Sequence, residues 1–134
     1  MFASNPWDEN SSQLCTDGSG GAFVAWRDYR RGGTTSDTSN CRVNRVLASG
    51  TLAPGWPDSG VAVGDGPGAR VLRRLISDGL GGAYVVWNDT RNTGWFEVYV
   101  QRLTASGQVA PGWPAVGLHV CPISSDQFLV DAVP

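Results

Sequence analysis

Two adjacent aromatics, Trp95 and Phe96, follow Gly94 in a short polar segment that also carries Asn92, with Asn88 and Asp89 just before it. An indole presented on a loop is suited to stacking on a sugar ring, and neighbouring carboxamides can bond its hydroxyls. Trp95, Phe96, Asn92 and Asn88 are therefore the expected ligand-binding residues. The competing reading has Trp95 tucked over a neighbouring sheet or held in a contact between protomers. A second group of chemistry-bearing residues comes in matched pairs. Trp26, Asp28 and Arg30 match Trp87, Asp89 and Arg91, and Asp17 matches Asp78. Alternate residues of a strand point the same way, so each carboxylate of the Trp-x-Asp-x-Arg unit can cap backbone amides or pair with the guanidinium. Calcium held by Asp28 or Asp89 with loop carbonyls would use the same oxygens. Because both copies carry the unit, a structural role is expected, with no metal and no cofactor. His119 has no Ser or Cys partner that the sequence can place, and it is expected on a solvated outer strand.

The pairs belong to a duplication. Thr16-Asp17-Gly18-Ser19-Gly20-Gly21-Ala22-Phe23-Val24-Ala25-Trp26 returns as Ser77-Asp78-Gly79-Leu80-Gly81-Gly82-Ala83-Tyr84-Val85-Val86-Trp87. Likewise Pro54-Gly55-Trp56-Pro57 returns as Pro111-Gly112-Trp113-Pro114. The first copy is longer by four residues, all placed between Arg30 and Asn40, where length and sequence change together as in an exposed loop. Units of this size stack so that neighbours bury faces a single unit cannot bury alone. The first repeat is read over about 10–68 and the second over about 69–125. Residues 126–134 match the opening of a further unit. Asp17 and Asp78, each before Gly, are expected to accept amide bonds in a turn. Trp56 and Trp113 are expected to cover the edge of a sheet.

Composition narrows the functional classes. With 18 Gly, 8 Pro and only short apolar segments, the chain reads as many short strands and no helices. A net charge of −2 gives no electrostatic reason to expect nucleic acid or an anionic membrane as partner. No apolar run approaches a transmembrane helix, and residues 1–15 lack the pattern of a signal peptide. Cys15 and Cys41 align with Ile76 and Val98, so each occupies an apolar place in the repeat; with Cys121 the count is odd, and no bridge is expected.

Each repeat divides into four strands. In the second they are Val71 to Ser77, Ala83 to Trp87, Glu97 to Leu103 and Val116 to Cys121; in the first, Ser12 to Cys15, Ala22 to Trp26, Cys41 to Leu47 and Val61 to Gly64. The fold class is all-β, with two four-stranded antiparallel repeats. Four sequential strands at this period describe a propeller blade. The pattern resembles the tandem blade repeats of secreted bacterial β-propeller proteins, of the type Asp-Gly-x-Gly-Gly-Ala-x-Val-x-Trp-x-Asp-x-Arg. The second copy follows it closely through Gln101-Arg102-Leu103, while the first departs at Arg42, Asn44 and Val46. The resemblance implies an extracellular or cell-surface setting.

Two blades and one strand cannot close a ring, so a homo-oligomer, a trimer or larger, is expected. In it, Gln127 to Val133 would pair with a neighbouring protomer's first blade. A fragment of a longer propeller is the alternative. The divergent loops fall on one face of such an assembly and the matched turns on the other, which places binding on the divergent side. Arg73, Arg74 and Asp131 could line a central channel, but Arg73 aligns with Val130 and Ser12, so that charge is not repeated. With no convincing acid and base pair, a non-catalytic binding or scaffold module with a carbohydrate ligand is expected; a glycosidase-type hydrolase is the alternative.

Overall fold

A computed structural model describes residues 12–29, 39–92 and 94–120 of the chain. Arg30, the long loop of the first repeat, Cys121 and the segment expected to open a further unit lie outside the described residues. Eight strands follow in order: β1 Gln13–Thr16, β2 Ala22–Asp28, β3 Asn40–Val46, β4 Val61–Val63, β5 Arg70–Ser77, β6 Ala83–Asp89, β7 Glu97–Leu103 and β8 Leu118–His119. They form two four-stranded antiparallel meanders, β1-β2-β3-β4 and β5-β6-β7-β8, and the described residues contain no helix.

Most strand ends differ from the expected ones by one or two residues, and two differences affect the site. Strands β2 and β6 run on to Asp28 and Asp89, which keep antiparallel partners in Asn40 and Glu97. Strand β8 starts only at Leu118, because the chain first turns at Gly117, whose amide bonds the Pro114 carbonyl at 3.1 Å. Gly117 has a φ of 91°, and a Cβ there would lie 2.4 Å from the Trp87 ring, so close approach and backbone both require glycine.

Residue alternation sorts each sheet into two faces, and the facing sides share one core. The first sheet contributes Phe23, Ala25, Cys41, Val43 and Val63; the second contributes Leu72, Leu75, Ala83, Val85, Trp87, Tyr99 and Leu103. Leu72 and Leu75 are an odd number of residues apart and would point oppositely in a regular strand. A bulge between Leu72 and Arg74 shifts the register and returns both to the core side. The first sheet has its own opening strand, β1, paired along β2.

Trp56 does more than cover an edge. It is 5% exposed, packs on Phe23 with ring centroids 5.8 Å apart, and donates its indole N–H to the Ala105 carbonyl of the second repeat at 2.9 Å. Trp113, its counterpart, is only half-buried and rests on Tyr84 at 5.9 Å. The two copies of one motif thus have unequal surroundings.

Burial places the Cys41 thiol out of reach of solvent and pushes its pKa up to about 12; Cys15, half-buried, is pushed up by the same cause. Both are free thiols.

Candidate ligand-binding face

Of the loops that differ between the copies, two among the described residues, the link between the sheets and the β6–β7 loop, meet at one end of the sheets, and polar contacts hold them there. The link between the sheets, residues 64–69, is tied to the β6–β7 loop by Ala69 N–H to Thr90 Oγ1 at 3.0 Å and Thr90 N–H to the Ala69 carbonyl at 3.1 Å. It is tied to the first sheet by Asn40 Nδ2, 3.4 Å from Asp65 Oδ1.

Arg70, wholly buried, gathers this end. Its guanidinium donates to Asn40 Oδ1 at 2.8 Å and to the carbonyls of Gly66 at 3.0 Å and Pro67 at 3.1 Å. Its Nε lies 3.2 Å from Asp89 Oδ2, near enough to pair charges though not aligned as a hydrogen bond. Burial draws the Arg70 pKa below its usual value, and Asp89 opposes that. Ser39 Oγ completes the crossing by donating to the Arg70 carbonyl at 3.1 Å.

Asp89 is the second hub. Its Oδ2 accepts from the Trp87 indole at 2.9 Å and from Arg91, whose backbone N–H donates to Oδ1 at 2.9 Å. Arg91 also reaches the carbonyls of Val116 at 2.9 Å and Gly64 at 3.2 Å, and lies 4.5 Å over the Tyr99 ring. Trp87, Asp89 and Arg91 thus form one closed unit, with the carboxylate shared between guanidinium groups. In the first sheet Asp28 is bonded by Arg42, which stands at the position of Tyr99 and donates to the carbonyls of Gly60 at 2.8 Å and Ser59 at 3.3 Å. The departure of the first copy at Arg42 thus supplies a guanidinium to Asp28 from the position that Tyr99 holds in the second. Trp26 is half-buried, with its ring against Gly60 as Trp87 is against Gly117. Among the described residues no three metal-ligating side chains gather.

The aromatic loop lies beside this hub. Trp95 is 52% exposed and Phe96 half-buried. Asn92 is exposed, and its Nδ2 donates to Glu97 Oε2 at 3.1 Å and to the Tyr99 hydroxyl. Its carboxamide is thereby fixed in direction next to the aromatic pair. Asn88 is placed differently: wholly buried on β6, it accepts a bond from Arg73 Nε and has no surface to offer a ligand. His119 is on the outermost strand but not freely solvated. Its ring stacks on Tyr99 at 4.7 Å and 6°, with Nε2 3.8 Å from Glu97 Oε1. Tyr99 is held above its ordinary pKa chiefly by burial, against the pull of Arg91.

At the opposite end the two Asp-Gly turns are near copies. Asp17 Oδ1 accepts the N–H groups of Ser19 and Gly21, each at 2.8 Å, and Asp78 Oδ1 those of Leu80 and Gly82 at the same distance. The second oxygen of each takes a two-pronged arginine: Arg45 at 3.0 and 2.9 Å on Asp17, Arg102 at 3.1 and 2.9 Å on Asp78. Each arginine also covers the ring of its own copy's aromatic, Phe23 or Tyr84, at 5.6 Å. The glycine after each turn cannot be replaced: a Cβ on Gly82 would sit 2.2 Å from the Leu103 carbonyl oxygen.

This geometry has a pH signature. Asp17 is held below the usual carboxylate range first by the Ser19 amide and then by Arg45. At Asp78 burial acts upward but is outweighed by Leu80 N–H, Arg102 and Gly82 N–H together. A carboxylate with a depressed folded pKa stabilises the fold above its unfolded pKa, and that contribution vanishes as pH falls through the folded value. The melting temperature should therefore hold from neutrality down to about pH 4 and decline below it. In the double variant Asp17→Asn, Asp78→Asn the acid decline should be shallower, as thermal melts across acid pH would record.

Scans of the chain against protein-family models, curated proteins and solved structures return no match.

Proposed function

We propose that this chain is a non-catalytic, propeller-forming binding module whose ligand, a carbohydrate, docks at the loop end of the sheets on Trp95. The observation that carries the reading is the contrast within one loop. Trp95 keeps half of its surface in solvent, while Asn92 beside it is held by Glu97 and Tyr99 in a fixed direction. An exposed indole beside a preset hydrogen-bonding amide suits a sugar ring, which offers an apolar face and a rim of hydroxyls. The carboxylates of Asp17, Asp28, Asp78 and Asp89 are each tied to an arginine, which favours a structural use for them over acid–base work. The two stacked meanders support a blade-type unit, and a ring of several protomers would present the loop repeatedly, raising avidity for a multivalent glycan.

A glycan array probed with wild type and Trp95→Ala tests the ligand. Wild type should bind a defined set of glycans, and the variant should lose roughly tenfold or more in affinity, the worth of one stacked aromatic. Equal binding by both proteins would remove Trp95 from the site.

A further inference from the structure

The repeat lets each sheet serve as a template for the other, and among the described residues the comparison exposes two faces that no other sheet covers. The side of the first sheet that meets the second is sealed: Phe23, Ala25 and Val43 have no exposed surface, and Val63 is 2% exposed. The same side of the second sheet carries the counterparts Tyr84, Val86, Val100 and Val120, and Val120 is 54% exposed. Here a cavity of about 530 Å³ opens, lined by Ile76, Tyr84, Val86 and Val100 above the Asp78-Gly79 turn. The opposite side of the first sheet is also open. Leu14 is 71% exposed, whereas its counterpart Leu75 is 5% exposed in the shared core.

Three edge contacts repeat the asymmetry. Trp56 donates to the Ala105 carbonyl, while among the described residues its counterpart Trp113 packs on Tyr84. A Cβ on Gly55 would lie 2.5 Å from the Ser106 carbonyl oxygen, while one on Gly112 would meet nothing within 4 Å. A Cβ on Gly107 would touch Trp56 at 3.1 Å, and one on Gly50 again meets nothing. In these three pairs a contact made at the junction inside the chain is missing at the twin, and the surface that would supply it is present on the same chain.

We propose that the open side of the second sheet stacks on the open side of the first sheet of a second copy of this chain. Leu14 of that copy enters the cavity over Tyr84 and Val86, and Trp113 donates its indole N–H to that copy's Ala48 carbonyl. The junction deepens the propeller reading above, on which it rests, and it is independent of any ligand. It joins unlike surfaces, so it is heterologous and grows into a ring when the rotation closes, or into a filament when it does not. A patch of apolar side chains left open on both ends of the unit is what such growth consumes.

The test uses the whole chain in three forms: wild type, Leu14→Lys, and the pair Leu118→Lys, Val120→Lys. All three positions are exposed in the single chain, so the variants should keep the wild-type circular dichroism and serve as folded controls. Light scattering should find wild type assembled and each variant monomeric. An equimolar mixture of the two variants should give a heterodimer, since one intact side of each remains. Trp113→Phe, which removes only the indole donor, should raise the concentration needed for assembly roughly two- to tenfold. A monomeric wild type would overturn the proposal. So would assembly retained by Leu14→Lys, which would mean that like surfaces meet, or a mixture that stays monomeric. Glycan binding by wild type, set beside its light scattering, separates the two readings: a wild type that binds without assembling would sink the junction and leave the ligand, and one that assembles without binding would sink the ligand.

Discussion

Arg70→Met should destabilise the chain by about 3–5 kcal/mol, the cost of stripping the partner from a buried charge. For a domain of this size that is a fall of roughly 10–20 °C in melting temperature. Arg70 is wholly buried and lies at the start of β5, where the link from the first sheet enters the second. Its side chain satisfies Asn40 and the carbonyls of residues 66–68, and it faces Asp89 at 3.2 Å. Methionine fills a similar volume but returns none of these bonds, and it leaves three carbonyls and a carboxamide without their donor. Arg91 and the Trp87 indole still hold Asp89, which keeps the loss within this range. Lysine restores the charge but not the planar fork, so Arg70→Lys should recover only part of the stability. Thermal and urea melts of the three proteins would measure both steps, and a fall of only a few degrees for methionine would show that the link is held by other contacts.

Trp56→Ala should cost about 3–5 kcal/mol, as for other fully buried large aromatics. The loss combines the contact with Phe23 and the bond to Ala105 across the two sheets. Trp56→Phe, which keeps most of the ring contact, should cost about 1 kcal/mol, the worth of the lost hydrogen bond. Trp113→Ala, made in the monomeric Leu14→Lys background, should cost about 1 kcal/mol or less, because half of that ring already faces water. Two tryptophans in the same four-residue motif should therefore differ severalfold in energetic weight. Equal losses at the two positions would mean that the junction between the sheets contributes little, and would undercut the template argument.

Much of the fold was legible because the sequence is written twice. Aligning Trp26 with Trp87 and Trp56 with Trp113 brought eight strands into register, and the described residues contain eight, in two meanders. The turn role of Asp17 and Asp78 was equally readable from the glycines around them. What escaped has identifiable physical reasons. The bulge at Leu72 has no residue signature, so strict alternation misassigns one of the two leucines it brings together. Arg70 reads as a solvated charge at a strand end, and only the fold brings the acceptors around it. Arg45 and Arg102 carried a usable signal, since they recur in step with the two aspartates they grip, yet each lies a full hairpin away from its partner. In the loop, adjacency misled: Asn88 and Asn92 are near Trp95 in sequence, but Asn88 lies within β6, covered by Arg73, while Asn92 lies past the strand end and is exposed. The difference between Trp56 and Trp113 could not be read from one motif, because it depends on which copy has a neighbour.

The most direct test of the account is the native mass of the wild-type chain by light scattering on a sizing column. Stacking through the two open faces should give a discrete multiple of the 14.2 kDa protomer. A single species at the protomer mass would contradict it, since both apolar faces would then remain in water.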